Sequence, residues 1–112
     1  MFVIDGKDIQ LTHGDSFSFS MTFTGRVLPA TAQAVFTLKK RVKDEEALLE
    51  KTVPVVENNA SVFLFPEDTE PLAYGSYFWD MRVLVPREDG VDVYTPMEYA
   101  SFQLLEVIGD GI

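Results

Sequence analysis

The stretch LAYGSYFWDMRVLV, Leu72 to Val85, decides the fold because a turn glycine is followed there by a long alternating segment. Tyr77, Trp79, Met81 and Val83 fall on one face of that segment. An apolar residue at every second position is the pattern of a β-strand buried on one side. The stretch therefore predicts a strand with these four residues in the core.

Leu72, Gly75 and Tyr77 have the spacing of a tyrosine corner, a feature of immunoglobulin-like sandwiches. In such a corner a tyrosine near the start of a strand turns its hydroxyl back to the backbone a few residues upstream. We expect Gly75 to adopt an unusual backbone angle, Leu72 to fill the core below the corner, and Tyr77 to bury its ring. The corner predicts a crossing between two sheets at this point.

Two further segments repeat the period of two. DSFSFSMTFTG alternates large apolar residues with serines and threonines, and AVFTLKK alternates in the same way after a loop. Clean alternation is typical of antiparallel sheets with one solvated face. Together the three segments predict a core made of Phe17, Phe19, Met21, Phe23, Phe36, Leu38, Trp79, Met81 and Val83.

Shorter apolar segments bounded by turn residues predict the remaining strands. They are MFVIDGKDIQL, which holds two, and SVFLF, VDVYT and SFQLLEV. About seven to nine short strands predict an all-β fold, an immunoglobulin-like antiparallel β-sandwich. A closed barrel fits the same strand number and is the structural alternative. We expect one domain, residues 1–108, and a loose tail over residues 109–112.

The segment RVKDEEALLEKTV has two interpretations. Asp44 at a helix N-terminus, followed by two glutamates, is a favourable arrangement for a helix. Pro54 follows soon after, and a proline is tolerated at the edge of a sheet. We favour a turn over Asp44 to Ala47 and an edge strand over Leu48 to Val53, with the helix as the alternative. PEDTEPL predicts a single helical turn.

The charge balance limits the partners. Nine Lys and Arg residues against eighteen Asp and Glu residues give a formal net charge of −9. A negative field repels nucleic-acid phosphates and anionic membrane surfaces, so neither is an expected partner. The chain has no cysteine, no basic and apolar leader at MFVIDGKD, and no apolar run of about 20 residues. We expect synthesis in the cytoplasm without export.

No group of residues predicts catalysis, a cofactor or a metal site. His13 is the one histidine, so paired-histidine zinc sites are excluded, and Asp15 and Ser16 lie too close to it for a catalytic triad. We expect His13 to be an exposed turn residue. The acidic clusters Asp5/Asp8, Glu67/Asp68/Glu70 and Glu88/Asp89/Asp92 match no calcium-binding loop and are interpreted as solvated charges. The prediction is a protein that is not an enzyme.

The other face of the long strand carries Phe78, Asp80, Arg82 and Leu84. A charged pair flanked by large apolar residues predicts a candidate subunit interface. The alternative is an exposed ion pair with little effect on stability.

Several segments resemble one family: LTHGDSFSFSMTF, VFTLKKRVKDEEALLEK, FLFPEDTEPLAYGSYFWDMRV and YASFQLLEVI. They are similar to small β-sandwich proteins encoded among the tail genes of phages and prophages of Gram-positive bacteria, including the N-terminal domain of baseplate upper proteins. PEDTEPLAYGSYFWD is the most specific part. His13 departs from the pattern, which more often has a basic residue there. The sequence given also ends where baseplate upper proteins continue into receptor-binding regions, so we expect a connector or decoration.

The resemblance implies a non-enzymatic structural and assembly module of a phage or prophage tail, associated with the baseplate. Its partners would be other tail or baseplate proteins, with a homo-oligomer as a further expectation, and its location would be the virion. The alternative function is a carbohydrate- or cell-surface-binding module that stacks sugars on exposed aromatic residues. The aromatic residues considered for that role are Tyr74, Phe78, Tyr94 and Tyr99.

Overall fold

The computed structural model describes residues 2–5 and 7–106, with side chains described from Lys7 onwards. In chain order its elements are β1 (Phe2–Asp5), β2 (Asp8–Thr12), β3 (Phe17–Thr22), β4 (Gln33–Lys39), β5 (Leu49–Pro54), β6 (Asn59–Leu64), α1 (Pro66–Thr69), β7 (Gly75–Arg87), β8 (Gly90–Tyr94) and β9 (Ala100–Leu105). The predicted tail, residues 109–112, and the end of the predicted domain, residues 107–108, lie outside the described residues.

The strands form one large sheet and one small sheet. The large sheet has seven strands in the order β1-β2-β9-β7-β4-β5, with β8 paired to β7, and the small sheet consists of β3 and β6. Both sheets contribute to a single core, so the predicted all-β fold is confirmed and the arrangement matches a β-sandwich. The immunoglobulin-like class stays a prediction. Within residues 2–5 and 7–106, β1 and β5 do not pair with each other, so the barrel alternative is wrong.

One strand pair departs from the predicted antiparallel arrangement. β2 and β9 run parallel, with Ile9 opposite Phe102 and Leu11 opposite Leu104. A parallel pair needs a long connection between its strands, and β2 and β9 stand far apart in the chain. Alternation within a strand does not reveal the direction of its neighbour, which is why the sequence missed this pair.

The predicted core is largely in place. Phe17, Phe23, Phe36, Leu38, Trp79, Met81 and Val83 are buried. Phe19 and Met21 pack against the core but are only half-buried, because among the described residues β3 pairs with β6 alone and no strand covers its other flank. The rings of Phe36 and Trp79 stack with centroids 5.4 Å apart, and the Phe19 ring meets the Trp79 ring at 5.5 Å. Aromatic pairs at such distances add to the stabilisation from burial.

The sequence patterns left out part of the core. The missed residues come mainly from β2, β6 and β9, where the apolar runs are short: Ile9, Leu11, Ala60, Val62, Leu64, Phe102 and Leu104, all at most 1% exposed. The parallel pairing of β2 with β9 brings the two ends of the described chain together over this core.

The ambiguous segment after β4 forms a loop and then a strand, so the helical alternative is wrong. β5 pairs along β4, from Leu49 opposite Leu38 to Pro54 opposite Gln33, and it is the end strand of the large sheet. The predicted helical turn in PEDTEPL is also present, as α1.

Candidate functional site

β7 is the longest strand and the centre of the large sheet. Along one flank it pairs with β4, from Phe78 opposite Lys39 to Leu84 opposite Gln33. Along the other flank it pairs first with β9, as far as Trp79, and then with β8, from Val83 onwards. No strand therefore pairs with residues 80–82 on that flank among the described residues, and the sheet has a gap there.

A groove of about 1190 Å³ lies over this part of β7, on the face of the sheet that points away from the core. Phe78, Asp80, Arg82 and the buried Trp79 line it from β7, and segments 42–47 and 95–99 line its two sides. Three of the four candidate interface residues thus lie together in one concave surface. The fourth, Leu84, is half-buried farther along the strand, where it pairs with Val93 of β8.

Two aromatic rings form the apolar part of this outer groove. Phe78 and Tyr99 meet edge to face, with centroids 5.6 Å apart and planes at 90°. Tyr99 is 57% exposed, whereas Phe78 is half-buried. The pair thus contributes one exposed and one half-buried ring to the lining.

The charged residues of the outer groove are mostly acidic. Five carboxylates face two cations: Glu45, Glu46, Glu50, Asp80 and Glu98 against Lys39 and Arg82. Among the ion pairs of the described residues none involves these glutamates. The lining therefore carries three uncompensated negative charges, five minus two.

Asp80 is poorly satisfied within the chain. Its Oδ2 atom lies 3.9 Å from Nε of Arg82, at the outer limit of an ion pair. Its Oδ1 atom is buried and has no hydrogen-bond partner in the described part of the chain. A buried acceptor without a donor costs about 1–3 kcal/mol. The alternative interpretation, an exposed ion pair between Asp80 and Arg82, thus accounts for Oδ2 of Asp80 but not for its buried Oδ1 atom.

The predicted tyrosine corner lies at the start of β7. The Tyr77 hydroxyl donates to the Ala73 carbonyl, four residues upstream, at 2.5 Å, and the side chain is 3% exposed. Gly75 has φ +139°, in the region that side chains avoid. Leu72 is half-buried against the core. Burial raises the pKa of the Tyr77 hydroxyl above its ordinary value.

Trp79 belongs to the core and not to a sugar-binding platform. Its side chain is 3% exposed, and Nε1 donates to the carbonyl oxygen of Lys7 at 2.9 Å. This bond ties β7 to the connection before β2 and satisfies the indole N–H, as a buried tryptophan requires.

The other aromatic residues considered for sugar stacking differ in exposure and in their contacts. Tyr74 is 50% exposed and meets His13 edge to face, while Tyr94 is half-buried under the guanidinium of Arg26, 4.7 Å from the ring centre. Phe78 and Tyr99 are perpendicular to each other. Coplanar exposed faces would favour sugar stacking, and the Phe78–Tyr99 pair does not provide them, but the carbohydrate-binding alternative stays a prediction.

His13 lies in the predicted turn but is half-buried, which corrects the expectation of an exposed side chain. Its Nε2 atom is 3.3 Å from the carbonyl oxygen of Glu70. The contact links the turn after β2 to the segment after α1, so the burial follows from a tertiary neighbour that the local sequence does not show.

The acidic clusters also have structural partners. The sequence predicts a solvated charge at Asp68, but its Oδ2 atom accepts from the Phe65 N–H at 2.8 Å and from Nζ of Lys51 at 2.9 Å. Asp89 and Asp92 both bind Arg87. The Asp5 side chain lies outside the described residues. In the part of the chain that the structure describes, no group of three or more His, Cys, Asp or Glu side chains is arranged to hold a metal ion.

Comparisons with known proteins gave no match: neither a family model, nor a curated protein, nor a solved structure resembles the chain significantly. The resemblance to phage tail proteins therefore stays a prediction. Among the described residues, no helix has the length and the apolar character that crossing a membrane requires.

Sequence reasoning found the β7 side of the outer groove but missed its two side walls. Glu45, Glu46, Met97, Glu98 and Tyr99 join the groove because β4, β8 and β9 flank β7. A signal was present in the pair Glu45-Glu46, but both of its interpretations, a turn and the first turn of a helix, are local. That these glutamates line the same groove as Asp80 depends on strand pairing, and strand pairing is not local.

Proposed function

We propose that this chain is a non-enzymatic structural and assembly module of a phage or prophage tail, associated with the baseplate. The observation that carries the proposal is the outer groove over β7, where half-exposed aromatic rings lie beside uncompensated charges. Protein interfaces typically combine aromatic residues at the centre with polar groups around them.

The two faces of β7 support a docking role for the outer one. The inner face is filled by the core, and the outer side chains Phe78, Asp80 and Arg82 are not part of that core. Phe78, Asp80 and Arg82 are therefore free to serve a partner. Asp80 in particular has a carboxylate that is 23% exposed and that Arg82 approaches only to 3.9 Å.

PEDTEPLAYGSYFWD and three other segments resemble tail proteins, and this resemblance supports a location in the virion. On this proposal the chain is made in the bacterial cytoplasm and incorporated into the virion, where it contacts other tail or baseplate proteins. Tail parts act in rings, so self-association of the chain is a further expectation.

Particles purified after induction of the strain that carries the gene test this proposal. Mass spectrometry of the particles is expected to find the chain at a fixed ratio to the tail proteins. Absence of the chain from intact particles contradicts the proposal.

A matched pair of variants tests the docking face. Phe78→Glu places a charge in the outer groove, and Phe63→Glu places the same charge on the exposed face of β6, where Phe63 is 54% exposed. We expect Phe78→Glu to lose incorporation into particles and Phe63→Glu to retain it, with both variants folded by circular dichroism. Equal incorporation of the two folded variants removes the outer groove from the proposal.

A further inference from the structure

The charge pattern of the outer groove indicates the chemistry of its occupant. Glu45, Glu46, Glu50 and Glu98 have no ion-pair partner among the described residues, and Asp80 has only a loose one. A cationic molecule would gain from all five carboxylates, whereas an anionic one would be repelled. Charge complementarity therefore favours a basic partner.

The floor of the outer groove distinguishes an arginine from a lysine. A guanidinium is planar, stacks on aromatic rings and offers several donors to a carboxylate, whereas an ammonium is a compact charge. Here the rings of Phe78 and Tyr99 and the partly exposed carboxylate of Asp80 line the same groove. A ring beside a carboxylate matches the planar guanidinium better than the compact ammonium.

Arg82 already occupies part of this site. Its Nε atom lies 3.9 Å from Asp80 Oδ2, and its side chain is 55% exposed. An arginine of this chain thus approaches the same carboxylate, but only at the outer limit of an ion pair. An incoming guanidinium would compete with Arg82 for Asp80.

We propose that the outer groove binds an arginine-bearing segment of a partner protein, with the guanidinium against the carboxylate of Asp80 and the rings of Phe78 and Tyr99. This inference rests on the proposed function of the outer face as a docking surface. It adds the chemical class of the partner segment, which that proposal leaves open.

Titration of the ¹⁵N-labelled chain with acetyl-Ala-Arg-Ala-amide, followed by NMR, tests the inference. We expect shift changes concentrated on the residues that line the outer groove and weakening with salt, because exposed charges are screened. The same peptide with citrulline in place of arginine keeps the shape and loses the charge, and it is expected to leave these signals unchanged. Equal effects of the two peptides, or shifts elsewhere on the protein, overturn the inference.

Two charge variants are expected to act in opposite directions. Asp80→Asn removes the acceptor charge and should weaken binding of the arginine peptide about tenfold, the scale of a charge-assisted hydrogen bond. Arg82→Gln removes the competitor and should tighten binding about threefold, the scale of one exposed charge pair. Asp89→Asn, at the β7–β8 turn, changes the net charge equally outside the groove and serves as the control. Identical affinities for Asp80→Asn and Asp89→Asn contradict the inference.

The outcomes separate this inference from the proposed function. If Phe78→Glu is lost from particles but the arginine and citrulline peptides behave alike, the outer face docks a partner of different chemistry and only the inference fails. If signals of the outer groove shift instead with the concentration of the chain alone, the occupant is a second copy, and the inference fails as well. If the chain is absent from particles, the proposed function fails whatever the peptides do.

Discussion

The two faces of β7 differ in burial, although one alternating sequence supplies both. On the inner face Tyr77, Trp79 and Met81 are at most 3% exposed and contact the core. On the outer face Asp80 is 23% and Arg82 is 55% exposed, and both line a groove. Neighbouring residues thus differ in role because successive side chains of a strand point to opposite sides. The difference shows that burial changes from one residue to the next along this strand, which leaves the outer residues available for the docking role proposed above.

The largest change in the free energy of unfolding is expected from a substitution on the inner face of β7. Met81→Ala removes a side chain that is 0% exposed and should lower the free energy of unfolding by about 2–5 kcal/mol, from lost burial and the remaining cavity. Arg82→Ala, the next residue, should change it by less than about 0.5 kcal/mol. Urea unfolding of the two variants measures the comparison, and similar losses in both would show that the outer face also stabilises the fold.

A smaller effect is expected at the start of the strand. Gly75→Ala forces a side chain into φ +139° and should cost about 1–3 kcal/mol of stability. Gly90→Ala at the β7–β8 turn is the control, because its φ is not positive and its added carbon meets only the end of the flexible Arg87 side chain, at 3.3 Å. A thermal midpoint for Gly75→Ala equal to that of Gly90→Ala would argue against the described backbone angle.

The tyrosine corner contributes about one hydrogen bond. Tyr77→Phe keeps the ring and removes the donor to Ala73, so the free energy of unfolding should fall by about 1 kcal/mol. Tyr99→Phe removes the hydroxyl of an exposed ring and should have no effect. An unchanged urea midpoint in Tyr77→Phe would show that the hydrogen bond from Tyr77 to Ala73 does not stabilise the fold.

The smallest expected effect is on alkaline stability. Because burial raises the pKa of Tyr77 in the folded state, the hydroxyl ionises more readily in the unfolded chain. This contribution to stability is present below pH 10.0, the ordinary value, and is lost as the pH rises through the folded-state pKa. Unfolding midpoints measured across this range should fall less steeply in Tyr77→Phe than in the unchanged chain. Parallel curves would contradict the assignment.

The sequence predicted what depends on alternation within one strand. It placed Trp79 and Met81 in the core, and Phe78 and Asp80 on the opposite face, because a period of two is a local property. It did not predict the parallel pairing of β2 with β9 or the half-burial of His13, since both depend on neighbours distant in the chain. The sequence did not predict the side walls of the outer groove either, for the same reason.

The central claim is that the outer face of β7 meets the partner. Cross-saturation NMR on the ¹⁵N-labelled chain, bound to the tail protein that it contacts in particles, tests this most directly. The account predicts that the amide signals losing intensity cluster at Phe78, Asp80, Arg82 and segment 95–99. Loss confined to the β3–β6 sheet, with the signals of the outer groove untouched, would contradict it.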